Sequence, residues 1–179
     1  MFQMDINAEF NELANLHRDR VFTFSCYWLQ NREDAEDVTQ EILVRMWRCR
    51  NAVPADRMGV WLMRVTRNAC IDLARRRKTR QHLNSGTEPD TAFAITPDPA
   101  PIASDALQSE ETVSCVKNIV AQLDEPQKSI VLLRDVHDMS YAEIASVLSL
   151  TLDQVRVYLH RGRQKVRKCL QERVSHGEL

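Results

Sequence analysis

The sequence predicts an all-α protein: two small helical domains joined by a flexible, acidic, Pro-rich linker. Three observations support this. Only 4 glycines occur in 179 residues and strand-type alternation is hard to find, whereas apolar residues recur at steps of three and four, the period of an amphipathic helix. Four of the 6 prolines (Pro89, Pro97, Pro99 and Pro101) crowd into one stretch without hydrophobic periodicity, which reads as a tether without a core of its own. Charge is also segregated along the chain. The expected boundaries are 1–80 for the first domain, 81–108 for the linker and 109–179 for the second domain.

In the first domain a helix is expected over about 7–29, where Phe10, Leu13 and Leu16 lead into an almost fully apolar end. Asn31 can cap a second helix, and Glu33 and Asp34 in its first turn favour the helix dipole. Ala35, Val38, Ile42, Leu43, Met46 and Trp47 form its apolar stripe, opposite Asp34, Asp37, Gln40, Glu41 and Arg45. A loop, Asn51 to Arg57 with Pro54, leads to a third helix. There Trp61, Leu62, Val65, Ala69 and Leu73 are expected to be buried, leaving Arg64, Arg67, Asn68, Asp72, Arg75 and Arg76 largely outside.

In the second domain Val113, Val116, Val120 and Leu123 mark an amphipathic helix. Asp124-Glu125-Pro126 restarts the chain with proline in a first helical turn, and Ile130, Val131, Leu132 and Leu133 supply core. Two capping boxes follow, Ser140 with Glu143 and Thr151 with Gln154, separated by a short helix and the turn Ser149-Leu150. A two-turn helix, a tight turn and a longer basic helix is the layout of a helix-turn-helix. In the last helix Val155, Leu159, Gly162 and Val166 must face the core. Asp153, Val157, His160 and Gln164 then point away, flanked by Arg156, Arg161, Arg167 and Lys168.

The formal net charge of −1 conceals these groupings. Arg64, Arg67, Arg75, Arg76, Arg77, Lys78 and Arg80 form one basic block; Arg156, Arg161, Arg163, Lys165, Arg167, Lys168 and Arg173 form another. Two separate basic surfaces suggest two contacts with a polyanion, nucleic acid above all. The most apolar run, Val21 to Leu29, is far short of the ~20 residues a membrane span needs. The opening Met1-Phe-Gln-Met-Asp-Ile-Asn lacks the basic and apolar segments of a signal peptide. The 5 cysteines (Cys26, Cys49, Cys70, Cys115 and Cys169) contain no C-x-x-C pair, so reduced thiols in a cytoplasmic protein are expected. No phosphate-binding glycine motif and no His/Cys quartet is present. No cofactor, metal site or enzymatic activity is therefore expected.

Asn31 through Trp47, Trp61 through Arg77, and Leu123 to Arg134 with Met139 to Ala145 and Tyr158 to Arg163, taken together, resemble the sigma-70 family of RNA polymerase sigma factors, specifically the compact extracytoplasmic-function (ECF) type. The resemblance implies a sigma2-like domain of three to four helices and a sigma4-like helix-turn-helix domain. It further implies that Asp34, Asp37, Gln40, Glu41 and Arg45 grip the beta-prime clamp helices of the polymerase core. The third helix and its preceding loop would open and hold the −10 element through Asn51, Pro54, Asp56, Trp61, Arg64, Arg67, Asn68, Asp72, Arg75 and Arg76. The −35 element would be met by Asp153, Gln154, Arg156, Val157, His160, Arg161 and Arg163. Here the chain departs from many relatives, which have a small residue and a Lys-Ser-Arg run where it has Asp153 and Arg156-Val157-Tyr158. Further implied partners are the beta flap, promoter DNA and an anti-sigma factor, which could hold the protein at the inner membrane face; no stable homo-oligomer is expected. Two other functions fit the residues less well. One is a stand-alone helix-turn-helix regulator; the other is a redox or metal sensor using the cysteines.

Overall fold

The computed structural model describes residues 6–85 and 107–175, all of whose regular elements are helical. Helices α1 (Ile6–Leu29), α2 (Arg32–Cys49) and α3 (Ala55–Ser85) pack together as a first bundle. A second bundle holds α4 (Leu107–Ala121), α5 (Gln127–Val131), α6 (Tyr141–Leu148) and α7 (Leu152–Ser175). Both ends of the expected linker are helical, since α3 runs through 81–85 and α4 begins at Leu107. The Pro-rich stretch lies outside the described residues.

Local chemistry sets the helix boundaries. Asn31 caps α2, its side chain accepting from the Asp34 backbone N–H at 2.9 Å. Ser140 and Glu143 complete a reciprocal capping box at α6, and Thr151 and Gln154 exchange the equivalent bonds at α7, at 2.9 and 3.2 Å. Each such cap stabilises a helix start by about 1 kcal/mol. Between α6 and α7 the chain reverses through Ser149 in the left-handed region (φ 55), whose backbone N–H caps α6 by bonding Ala145 O. Pro126 stands at the N-cap of α5, one position earlier than its expected place inside the first turn.

Apolar burial then assembles the bundles. Ala35, Val38, Ile42 and Met46 of α2 are buried as the spacing predicts. In α3 the seam is displaced from its expected position. Met58, Leu62, Met63, Thr66 and Cys70 are buried, whereas Trp61, Val65, Ala69 and Leu73 are only half-buried against the core. The displacement follows from α3 being covered by α1 and α2 on one side and by α6 of the second bundle on another.

Ile130, Val131, Leu132 and Leu133 are all buried, a run of four that no single-sided helix could hide. The chain passes from α5 into a widened π-helical turn, Leu132–Val136, in which His137 N–H bonds Leu132 O at 3.2 Å. This segment is sandwiched: α7 packs against α5, and α1 of the first bundle packs against the π turn. The apolar cores of the two bundles are consequently continuous, from Val21 and Phe24 to Ile144 and Leu159.

Candidate functional site

Three surfaces carry the residues singled out in the sequence. The first is a cleft of about 110 Å³ between α2 and α3, lined by Asp34, Asp37, Glu41, Arg45, Asp72 and Arg76 around Val38, Ala69 and Leu73. The helical spacing of α2 aligns its carboxylates along one face, and Arg45 is ion-paired with Glu41 one turn away. Gln40 is exposed. Asp34 differs from the expected open carboxylate: it is half-buried and paired with Arg77 of α3. Burial pushes its pKa up, although Arg77 acts in the opposite direction. Asp72 and Arg76, expected on a separate surface, line this same cleft.

The second surface is the remainder of α3 and the loop before it. Asn51, Pro54 and Asp56 are exposed in and just after a tight loop, in which Ala52 and Val53 both donate to Cys49 O. Arg64, Asn68 and Arg75 are exposed, and Trp61 is half-buried against the core. Arg64 and Arg67, expected to be open, are held by the second bundle. Arg64 donates to the Ser146 backbone carbonyl. Arg67 donates to Ser129 Oγ at 3.0 Å and to Glu125 at 2.8 Å.

Glu125 is the centre of this contact between bundles. It accepts from Arg67, from Ser129 and from Trp28 Nε1, the last at 3.1 Å. Next to it the Lys128 ammonium lies 4.3 Å from the Trp28 ring centroid and donates to Trp28 O at 2.8 Å. Lys128 is only 8% exposed, and burial lowers its pKa to about 8 despite the nearby Glu125 carboxylate. Further along, Arg20 donates to His137 O at 3.4 Å, and the His137 ring lies 6.0 Å from Phe24. Burial, with Arg20 adding to it, lowers the His137 pKa to about 4.

Local spacing does not reveal these pairings, because Glu125 meets Trp28 and Arg67 across long sequence separations. One trace was present: an apolar run as continuous as Ile130 to Leu133 requires cover on two sides.

The third surface is the outer face of α7. Val155 and Leu159 are buried while Asp153, Val157, His160, Arg161 and Gln164 are exposed, as the spacing requires. Two of the expected contact residues have work within the fold: Gln154 accepts from the Thr151 backbone, and Arg163 is paired through two nitrogens with Asp135. Arg156 donates to Asp153 at 2.9 Å, both remaining exposed. Gly162 allows α7 to approach α5: a Cβ there would stand 2.8 Å from Val131 Cγ2.

Among the described residues no group of His, Cys, Asp and Glu could hold a metal ion, and no helix is long and apolar enough to cross a membrane. Cys70 is buried and its thiol is pushed up to about 12, which makes it unreactive.

The model of sigma-70 region 2 matches residues 13–80, and that of sigma-70 region 4 matches residues 114–166. The ECF RNA polymerase sigma factor SigL of Mycobacterium tuberculosis is 30% identical over 140 residues, 77% of this chain and 75% of SigL. The chain belongs to the ECF RNA polymerase sigma factors. A second member of the family, SigW of Bacillus subtilis, is 25% identical over 167 residues, 91% of this sigma factor and 89% of SigW. The fold agrees as well. The sigma factor RpoE of Bartonella quintana, solved in complex with the anti-sigma factor NepR, matches with a TM-score of 0.72 at 19% identity, covering 91% of this chain and 97% of that one. In this sigma factor, then, region 2 falls on α1–α3 and region 4 on α4–α7.

Proposed function

We propose that this sigma factor binds the beta-prime clamp helices of the polymerase core through the α2–α3 cleft. The carrying observation is that Asp34, Asp37, Glu41, Arg45, Asp72 and Arg76 share one cleft with an apolar floor. Such a groove suits an amphipathic, basic helical partner, whose apolar side meets Val38, Ala69 and Leu73 while its cations meet the carboxylates. Asn51, Pro54 and Asp56 in the loop and Trp61, Arg64, Arg67, Asn68 and Arg75 on α3 would hold the melted −10 element. A loop that accepts a base out of the stack lowers the cost of an open duplex. Asp153, Arg156, Val157, His160 and Arg161 on α7 would meet the −35 element, with the region 4 bundle contacting the beta flap. In this reading the protein contributes promoter choice and no chemistry, and acts in the cytoplasm.

DNA and the second bundle both use the guanidinium groups of Arg64 and Arg67, so −10 binding requires the two bundles to separate. The same closed arrangement suits capture by an anti-sigma factor. We include such a partner in the proposal on the strength of the family and of the RpoE–NepR complex.

Charge reversal tests the cleft. Asp37→Lys combined with Glu41→Lys should weaken binding to bacterial core polymerase at least tenfold, since like charges then face the clamp helices. Unchanged affinity in the double variant would remove the cleft from the interface.

A further inference from the structure

We propose that Val157 reads the 5-methyl group of a thymine in the −35 region, making it a specificity-determining residue; the inference rests on the assignment of α7 as the promoter-facing helix. Val155 (0% exposed) and Leu159 (3%) fix the core side of α7. Val157 lies about 200° around the helix from Val155 and is 47% exposed, so it stands at the centre of the outward face. Among the described residues it belongs neither to the buried core nor to the hydrophobics packed against it, and β-branched valine is not favoured at an open helix position. Everything around it on that face is polar: Asp153 one turn before, His160 and Arg161 one turn after, then Gln164.

Side chains of the Asp, Gln, His and Arg types address hydrogen-bonding groups on base edges and phosphates. An isolated apolar group among them matches the one apolar feature the major groove presents, the thymine methyl. The charge of the surrounding surface selects the partner. Arg156 and Arg161 flank Val157 and are exposed, which suits a polyanion and opposes burial in an apolar protein groove. Asp153 accepts from Arg156 Nη1 at 2.9 Å, drawing that guanidinium toward the helix N-terminus. The restricted χ1 of valine holds its methyl groups in a fixed direction, so little rotamer freedom is lost on contact.

The test uses holoenzyme assembled from the full chain and bacterial core polymerase, with duplexes recovered from a library randomised across the −35 region. Thymines in a recovered duplex are replaced one at a time by deoxyuridine, which lacks the methyl group and keeps every hydrogen-bonding group. At one position wild-type binding should fall about fourfold, the factor expected for one buried methyl. Val157→Ala should bind the thymine duplex more weakly than wild type and show no further loss with deoxyuridine there. The inference is overturned if no single replacement affects the wild type, or if Val157→Ala loses as much as wild type does. Scrambling the −35 region separates the two levels. Binding that falls on scrambling but ignores deoxyuridine overturns the methyl contact alone, whereas binding indifferent to both overturns the role of α7 as well.

Discussion

Removing the Glu125 carboxylate tests how firmly the two bundles hold each other. In Glu125→Ala, Arg67 loses an ion pair at 2.8 Å and Trp28 Nε1–H loses its acceptor at 3.1 Å. The Arg67 and Glu125 side chains are 20% and 30% exposed. The loss therefore falls between an exposed pair, worth about 0–1 kcal/mol, and a fully buried one, about 3–5 kcal/mol to break. Arg67 keeps Ser129 Oγ at 3.0 Å, which moderates the cost, and about 1–2 kcal/mol is expected, or roughly 5- to 30-fold toward separated bundles. The Trp28 indole N–H is a direct reporter. Its exchange with solvent, followed by NMR, should accelerate by that factor in Glu125→Ala, and small-angle scattering should show a larger radius of gyration. Glu125→Gln, which can still accept from Trp28, should fall between. Wild-type exchange and an unchanged radius in Glu125→Ala would refute the role given to this contact.

Other outcomes follow from single features. Gly162→Ala places a Cβ 2.8 Å from Val131 Cγ2. Overpacking of about 1–3 kcal/mol should lower the melting temperature by a few degrees, and most of that loss should vanish in a Val131→Ala background. Asn31→Ala removes the cap on Asp34 N–H and should destabilise α2 by about 1 kcal/mol in a urea titration. The pH response has a defined sign. His137 has a folded pKa of about 4, below its ordinary 6.5, so its contribution is complete above pH 6.5 and is lost as pH falls toward 4. His137→Phe should therefore gain on wild type in that window and not above it. Lys128, lowered from 10.5 to about 8, penalises the folded state most below pH 8; stability should rise between pH 8 and 10.5, and Lys128→Met should abolish that rise.

The parts of the fold legible in the sequence were those set by neighbours a few residues apart. Asn31 with Asp34, Ser140 with Glu143, and Thr151 with Gln154 are cap pairs three residues apart, and all three form. The outward face of α7 was legible for the same reason, because Val155, Leu159 and Gly162 fix its core side. Periodicity was less informative for α3. A helix covered on several sides has no single apolar stripe, so burial moved to Met58, Met63 and Cys70. The ties of Arg64 and Arg67 to the second bundle were not legible, because pairing across the chain leaves no local spacing. Nor was the meeting of Asp72 and Arg76 with the α2 carboxylates, which depends on how α3 crosses α2.

We propose that this sigma factor directs promoter choice through surfaces on both bundles. In vitro transcription with purified bacterial core polymerase and a promoter library tests it most directly. Selective initiation is expected only when the protein is added, lost with Asp37→Lys/Glu41→Lys and redistributed among promoters, not abolished, with Val157→Ala. Initiation indifferent to the protein, despite measurable core binding, would contradict it.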